Sequence, residues 1–267
     1  MSHNVILDFE GYLQTLKPAT AKAYGQHLHG FYLWSLNPLV LPAGLQDMAY
    51  YYRNHLIYAG AKAATVNVKL SAIKGWAKHI GQPIEVEGVK AVRAPIDCPS
   101  DVQVNRLFRA VATSPRNVAI VALMARAGLR VGEVVGLSVG DITLNARSGQ
   151  VLIRQGKGGK QRVVPLSLAA REALGNYPMP DSGLLFTSRS GGPLLPRDVQ
   201  RLLQAVAGDI GASITPHQLR HYFATRFLQG GGDINTLAML LGHSDIKTTA
   251  IYLHPNATQV AAMIEGL

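Results

Sequence analysis

The stretch from Thr215 to Tyr252 reads TPHQLRHYFATRFLQGGGDINTLAMLLGHSDIKTTAIY and holds more chemically capable side chains than any other part of the chain. Its opening threonine and proline suit the N-cap and first turn of a helix, and three glycines end that helix. We therefore predict a helix over residues 216–229. On this helix His217 and Arg220 lie three residues apart, so both side chains project from one face.

A second histidine follows in a turn. Asp233 suits the N-cap of a short helix that runs to Leu241 and ends at the next glycine, and Ser244 suits the N-cap of a third helix. His243 falls between the two, where its side chain can reach a ligand. If both histidines, the arginine and Tyr252 converge, they place a nucleophile beside cationic donors, an arrangement that suits phosphoryl transfer.

The same residues also have simpler interpretations. A single helical histidine is more often a surface or core residue than a catalytic one, and Tyr252 alone would be an ordinary buried aromatic. His217 and His221 also have the spacing of a zinc pair. The zinc motif, however, requires glutamate after the first histidine, where this chain has Gln218. We therefore predict no metal site.

The charge of the chain favours a polyanionic partner. The chain has 267 residues and a formal net charge of +10, from 26 basic and 16 acidic side chains. Residues 1–96 contain nine basic and five acidic side chains, a net charge of +4. The rest of the chain contains seventeen basic and eleven acidic side chains, a net charge of +6. Both halves are therefore expected to contact such a partner. Basic charge alone is also common in small proteins that bind no polyanion.

Three features indicate the compartment. The N-terminal MSHNVILDFEG carries acidic residues where a signal peptide has a cationic region. The longest apolar run, residues 118–125, stops at Arg126 and is too short to span a bilayer. The single cysteine, Cys98, allows no intramolecular disulfide and fits a reducing compartment. We expect a soluble, cytoplasmic protein without a membrane partner.

Apolar positions recur at helical spacing through the first 80 residues, and predict four helices over residues 5–16, 20–33, 45–58 and 63–80. The fourth has one apolar stripe and, on another face, a polar and basic stripe formed by Asn67, Ser71, Lys74 and Lys78. This second face can enter a DNA major groove, with the amide and hydroxyl near base edges and the lysines near phosphates. It can equally be the solvated face of a small helical bundle.

A proline-containing stretch without periodicity divides the chain. We interpret residues 83–100 as a hinged linker between a helical domain of residues 1–82 and a second domain of residues 101–267. In the second domain the apolar spacing predicts helices over residues 102–111, 115–127, 167–177 and 196–208, and a short tail helix over residues 257–264.

A further cationic position lies near the start of the second domain. Gly128 closes a predicted helix and Arg130 begins the next, with Glu133 three residues on, so the carboxylate can reach back to hold a neighbouring cation. An arginine so close to a helix start can point at a ligand phosphate. Its planar fork can bind two phosphate oxygens and stays charged at any working pH.

Two alternating segments, residues 150–155 and 161–166, predict strands joined by the loop Gly156-Lys157-Gly158-Gly159-Lys160. The glycines permit positive φ, so this loop is expected to form a hairpin tip that carries lysines. A nucleotide-binding phosphate loop requires serine or threonine after its lysine. Because Gln161 follows Lys160, we set that alternative aside.

Four segments in order resemble the signature of one family. They are G-L-R-x-x-E-x-x-x-L from Gly128, H-x-L-R-H from His217, L-G-H from Leu241 and the following Tyr252. Together they resemble the tyrosine recombinase (phage integrase) family, closest to its Xer-type members. The resemblance covers about residues 100–256 by motif and the earlier residues only by helical pattern and charge.

The resemblance implies a multidomain fold. An all-α N-terminal core-binding (SAM-like) helical domain, which binds DNA, would precede a tyrosine recombinase catalytic domain. That second domain would be mixed α+β and mostly helical, with a small antiparallel sheet.

The resemblance also assigns roles, and implies six catalytic residues: Arg130, Lys157, His217, Arg220, His243 and Tyr252. Tyr252 would attack a DNA phosphodiester to form a 3′-phosphotyrosine, with His217 as base and Lys157 as acid. Lys160 is the alternative acid and otherwise a DNA phosphate contact. Glu133 is expected to orient Arg130 or His217. The resemblance implies that ATP is not needed, because bond energy is kept in the covalent link. It also implies no metal and no other cofactor.

The implied partners are double-stranded DNA and further copies of the chain. The resemblance implies a homotetramer on paired sites, in which C-terminal tail helices dock on neighbouring protomers; packing of the tail on its own protomer is the alternative. A type IB topoisomerase-like strand relaxer uses the same chemistry as a monomer and remains open. A catalytically silent DNA-binding regulator is disfavoured, because Tyr252, Arg130 and Arg220 are all present.

Overall fold

The structure is a computed structural model that describes residues 4–37, 39, 44–90, 97–154, 161–188, 190–243 and 247–250. The chain divides into two compact units, Met1–Ala94 and Pro95–Leu267. Among these described residues the first unit contains four helices, and the second contains nine helices, a 3-10 turn and a three-stranded sheet. Within the same residues no helix is both long enough and apolar enough to cross a membrane.

The helices of the first unit begin and end close to the positions that apolar spacing predicts. They are α1 (Asn4–Gln14), α2 (Pro18–Ser35), α3 (Leu45–Tyr58) and α4 (Ala63–His79). The apolar stripe of α4 is buried, since Val66, Leu70 and Ile73 are each at most 2% exposed. Because α4 contacts all three other helices, it forms the centre of this unit.

The segment that follows α4 is fixed to the same unit by two side-chain amides. Asn67 of α4 donates to the Val89 carbonyl (2.9 Å) and accepts from the Val89 amide (2.8 Å). Gln46 of α3 makes the same pair of bonds with Glu85, at 2.7 and 2.9 Å. Val86, between the two clamped positions, is 3% exposed and joins the helical core. The first part of the predicted linker therefore packs on the helices of the first unit.

The second unit is mostly helical with a small antiparallel sheet, as predicted. In chain order its elements are α5 (Asp101–Val111), α6 (Pro115–Ala125), α7 (Val131–Val135), a 3-10 turn (Val139–Asp141), β1 (Ile142–Leu144), β2 (Gly149–Ile153), β3 (Arg162–Pro165), α8 (Leu168–Gly175), α9 (Pro196–Ala205), α10 (Ala207–Ile210), α11 (Pro216–Gln229), α12 (Ile234–Leu241) and α13 (Lys247–Ala250). The strands pair in the order β1-β2-β3, with Val151 opposite both Ile142 and Val164.

Two elements of the second unit differ from the sequence-based expectation. The sequence does not reveal β1, because a strand of three residues is too short for alternation to show. The single helix predicted over residues 196–208 is two helices, α9 and α10. They meet at Val206, whose backbone (φ −100°, ψ 5°) departs from helical geometry.

Helix α6 is the centre of the second unit. Its residues 119–125 are each at most 2% exposed, so its second half is covered on every side, and α8 and α11 pack against it. The chain reverses after α6 at Gly128, where φ is +69° and an added Cβ would lie 2.3 Å from the Phe223 ring. Glycine is therefore required here, and its carbonyl is presented to α11.

Candidate active site

Helix α11 begins where the sequence predicts because a capping box closes its first turn. Thr215 Oγ1 accepts a hydrogen bond from the Gln218 amide (3.2 Å), and Gln218 Oε1 accepts one from the Thr215 amide (2.8 Å). With the start fixed, His217 lies in the first turn. Arg220 follows three residues later and points into the protein, where it is 3% exposed.

The buried Arg220 joins the end of α6 to the end of α12. Its Nη1 donates to the Gly128 carbonyl and its Nη2 to the Leu241 carbonyl, both at 2.7 Å. Nη2 also lies 3.1 Å from His243 Nε2. A buried guanidinium is costly unless its N–H groups are hydrogen-bonded, so these contacts fix the position of its charge.

Three arginines meet at the C-terminal end of α12. The carbonyls of Leu240, Leu241 and Gly242 accept hydrogen bonds, in that order, from Arg162 Nε (2.7 Å), Arg220 Nη2 (2.7 Å) and Arg130 Nη2 (3.4 Å). The last carbonyls of a helix lack intrahelical partners and carry partial negative charge, which guanidinium groups complement. The turn that contains His243 is therefore held between side chains from β3, α11 and the start of α7.

Glu133 links two of these arginines. Its Oε1 accepts from Arg130 Nη1 and Arg162 Nη1, each at 2.9 Å. Its Oε2 accepts from Arg162 Nη2 (2.8 Å) and the Arg130 amide (2.9 Å). Burial by itself raises the pKa of Glu133, but the hydrogen bonds from Arg162 and the Arg130 amide lower it to about 2. The carboxylate is therefore ionised at neutral pH and holds the Arg130 side chain in place.

The hydrogen bonds of His243 indicate its tautomer. An arginine N–H can only donate, so His243 Nε2 accepts from Arg220 in this structure. The ring proton then lies on Nδ1, which is 2.9 Å from Thr249 Oγ1 and donates to it. Thr249, on α13, is fully buried, so this contact fixes the orientation of the ring.

His217 contacts a second histidine one turn later on α11. Its Nε2 lies 2.8 Å from His221 Nε2, with the ring planes 67° apart. Burial lowers the pKa of His217, and the charges of Arg220 and Arg130 lower it further. The pKa of His221 is lowered to about 4, mainly by burial and further by the electrostatic effects of His217 and Arg220. Both rings are therefore neutral near pH 7, and a neutral His217 can accept a proton.

The structure brings most of the described candidate residues together. Arg130, Glu133, Arg220 and His243 form one network of contacts, in which the Arg220 Nη1 to Glu133 Oε2 distance is 3.9 Å. His217 lies one turn before Arg220. Of the two partners expected for Glu133, Arg130 is the one whose contact the structure describes. The candidates Lys157, Lys160 and Tyr252 lie outside the described residues.

The candidate DNA-contact face on α4 has mixed surroundings. The Asn67 amide is bonded to the backbone of Val89, and Ser71 Oγ donates to the Asn67 carbonyl at 2.8 Å. Lys78 is exposed and Lys74 is half-buried. In this structure the amide therefore holds the segment after α4, and the two lysines are the members of this face suited to contact phosphates.

Sequence reasoning missed Arg162 and His221 as members of the site. Arg162 opens β3, so it looks like an ordinary strand terminus. Its partner Glu133 is on another element, and nothing local indicates the pairing. His221 did carry a signal, because its spacing of four from His217 places the two rings side by side on a helix.

Comparisons with known proteins show to which family the chain belongs. The model of the phage integrase family matches residues 100–259. The tyrosine recombinase XerC of Actinobacillus pleuropneumoniae is 32% identical over an alignment of 226 positions, which covers 78% of this chain and 73% of XerC. The tyrosine recombinase XerA of Pyrococcus horikoshii is 29% identical over an alignment of 275 positions, which covers 99% of this chain and 94% of XerA.

A solved structure has the same fold. The XerH site-specific recombinase, crystallised in a post-cleavage complex with a palindromic difH substrate, gives a TM-score of 0.74 at 21% identity. The match covers 92% of this chain and 79% of XerH. The resemblance found in the sequence is confirmed: the chain belongs to the phage integrase family and is related within it to the Xer tyrosine recombinases.

Proposed function

We propose that this chain is a site-specific DNA recombinase that cleaves and rejoins DNA strands through a 3′-phosphotyrosine on Tyr252, without metal or ATP. The observation that carries this proposal is the convergence of Arg130 and Arg220 on the turn of His243. These two arginines come from separate elements, and both are held by protein contacts before any substrate binds. A preorganised pair of guanidinium groups suits a phosphodiester whose negative charge must be offset during attack.

In the proposed reaction the Tyr252 oxygen forms a bond to phosphorus, and the bond from phosphorus to the 5′ oxygen breaks. The phenol has a reference pKa of about 10, so it must lose its proton during attack. His217 is the proposed acceptor, which agrees with its lowered pKa and neutral ring. The departing 5′ oxygen takes a proton from Lys157, and the arginines stabilise the pentacoordinate phosphate.

His243 is proposed to add a hydrogen bond to the same phosphate. In this structure its Nε2 accepts from Arg220, so donation to a phosphate requires that nitrogen to leave Arg220 and gain a proton. Rejoining is the reverse of cleavage, with the 5′-hydroxyl of a second strand attacking the phosphotyrosine. The covalent link retains the bond energy, so the exchange needs no external energy source.

Covalent trapping tests this function. Wild-type protein is mixed with duplexes nicked close to a candidate cleavage site, in EDTA and without ATP, so that a short 5′-hydroxyl fragment diffuses away after cleavage. We expect a protein-DNA species that survives denaturing electrophoresis and disappears after protease treatment. Recovery of the trapped DNA from a substrate library would also identify the target sequence. Absence of any adduct across such a library would contradict the proposal.

We further propose that residues 1–82 form the core-binding domain and that both units contact duplex DNA. The excess of basic residues in each half supports this. Assembly as a homotetramer on paired sites, with exchange of C-terminal tails, and a cytoplasmic location complete the proposal. Each of these rests on the family to which the chain belongs.

Replacement of Lys157 with alanine is expected to slow cleavage by about 10² to 10⁴-fold, because the 5′ oxygen is then expelled without a proton. A substrate with sulfur at the 5′ bridging position should restore the rate, since a thiolate leaves readily without protonation. The measurement is single-turnover cleavage on matched oxygen and sulfur substrates. Lys160→Ala serves as the comparison; rescue of that variant instead of Lys157→Ala would transfer the role of acid to Lys160.

Replacement of Lys74 and Lys78 with glutamine is expected to weaken DNA binding and to reduce the slope of log K against log salt concentration by about 2, one for each lost phosphate contact. The matched control removes the same charge from exposed lysines of α2 and its N-cap, Lys17 and Lys22. Equal slopes for the two double variants would mean that the α4 lysines belong to an ordinary solvated face.

A further inference from the structure

Arg162, one of the three arginines at the C-terminal end of α12 (the arginine cluster), has both terminal nitrogens bound by a single carboxylate. Its Nη1 and Nη2 bind the two oxygens of Glu133, at 2.9 and 2.8 Å, in a bidentate pair. Its Nε donates to the Leu240 carbonyl at 2.7 Å. The side chain is 11% exposed. The two carboxylate oxygens of Glu133 therefore occupy the edge of the Arg162 guanidinium that could otherwise clamp a phosphate.

The two partners of Arg162 each place one proposed catalytic group. Through Glu133, Arg162 fixes the plane of the carboxylate that holds Arg130 by its Nη1 and its amide. Through Leu240, it holds the last turn of α12, immediately before Gly242 and His243. Arg162 is the residue, within the described parts of the chain, that bonds to both of these supports.

Contact with Gly242 shows how closely Arg162 supports the turn. Gly242 has φ +63°, and a Cβ added there would lie 3.0 Å from Arg162 Nη1 and 3.2 Å from its Cδ and Cζ. The guanidinium therefore packs directly against the backbone that leads into His243. A shift of this group is transmitted to the turn, because no side chain of Gly242 separates them.

We propose that Arg162 is a positioning residue for DNA strand cleavage, which sets Arg130 through Glu133 and His243 through the end of α12. The inference rests on the proposed recombinase function. Lysine cannot replace arginine in this role, because a single ammonium cannot bind both carboxylate oxygens in a fork and reach the Leu240 carbonyl as well. The low pKa of Glu133 agrees with this positioning role, since the hydrogen bond from Arg162 is the largest of the contributions that lower this pKa.

The test separates DNA binding from cleavage in Arg162→Lys. We expect the single-turnover cleavage rate constant on a nicked suicide substrate to fall by about 10²-fold, the scale associated with small misplacement of catalytic groups. The dissociation constant for the uncleaved duplex should stay within about threefold of wild type, because Arg162 faces protein. Arg171→Lys is the control, because Arg171 is a half-buried arginine of the same unit that donates to the Leu166 carbonyl. The Arg171→Lys variant should cleave DNA at the wild-type rate.

A double-mutant cycle shows whether Arg162 acts through Glu133. Glu133→Gln alone should also slow cleavage. The double variant should cleave at most about threefold more slowly than the slower of the two single variants, because both changes break the same contact between Arg162 and Glu133. Losses that multiply would overturn the proposal. The proposal would also be overturned if Arg162→Lys cleaved at the same rate as the Arg171→Lys control. Loss of DNA binding in parallel with cleavage, or unfolding of Arg162→Lys under the assay conditions, would show that Arg162 is only a structural residue.

Adduct formation by the wild-type protein distinguishes failure of the positioning role from failure of the recombinase function. If wild-type protein forms no adduct, the recombinase function itself fails. If wild-type protein forms the adduct and Arg162→Lys cleaves as fast, the recombinase function stands and the positioning role is wrong.

Discussion

Tyr252→Phe is expected to abolish covalent attachment of the protein to DNA, lowering the cleavage rate by at least about 10⁴-fold, the scale on which loss of a nucleophile acts. The phenylalanine ring keeps the shape of the side chain but has no oxygen to bond to phosphorus. Binding to uncleaved duplex should remain near the wild-type level, because the arginines and the basic surfaces are unchanged. The measurement combines denaturing electrophoresis of trapped complexes with a binding titration.

Tyr222→Phe is the matched control for this change. Its hydroxyl donates to Asp101 Oδ1 at 2.7 Å, away from the arginine cluster, so its loss should leave adduct formation intact. Adduct formation by Tyr252→Phe would remove Tyr252 from the mechanism. Loss of the adduct in both variants, with folding preserved, would show that the assay reports something other than the nucleophile.

Arg220→Lys is expected to reduce cleavage by about 10² to 10³-fold, the range measured when one donor to a transition-state oxyanion is removed. Lysine keeps a positive charge but cannot reach the Gly128 carbonyl, the Leu241 carbonyl and His243 together. The charge is then mislocated and the His243 turn loses one of its supports. The variant should also unfold at a lower temperature, because a buried carbonyl loses its donor.

The measurement for Arg220→Lys is the single-turnover rate constant, with the midpoint of thermal unfolding recorded alongside. Arg226→Lys is the control, because Arg226 lies on the same helix but is exposed and pairs with Asp101 at the surface. Surface pairs contribute little to stability, so neither the rate nor the midpoint should change there. A cleavage rate within about threefold of wild type in Arg220→Lys would contradict the role assigned to Arg220.

Features that depend on neighbouring residues could be predicted from the sequence. The start of α11 follows from Thr215, Pro216 and Gln218, which form a capping box with a proline in the first turn. The bounds of α3 match the expectation of residues 45–58, because apolar spacing and a preceding glycine mark them locally. The motifs quoted from the sequence contain Arg130, Arg220 and His243, and the structure places these three residues around the C-terminal end of α12.

Features that depend on distant partners could not be predicted. The fork between Arg162 and Glu133 joins β3 to α7, and no local pattern favours that carboxylate over another. Asn67 looks like a polar residue on a free helix face, yet its amide holds the backbone of Val89. Such pairings are set by tertiary packing, which a single sequence does not display. The roles of Lys157 and Tyr252 remain predictions.

Identification of the amino acid linked to DNA is the most direct test. Wild-type protein trapped on a nicked duplex is digested with protease and nuclease, and the nucleotide-bearing peptide is sequenced by tandem mass spectrometry. We expect a single modified peptide that carries a 3′-linked phosphate on Tyr252. Attachment to any other residue, or DNA cleaved with no protein bound to it, would contradict the assignment of Tyr252 as the nucleophile.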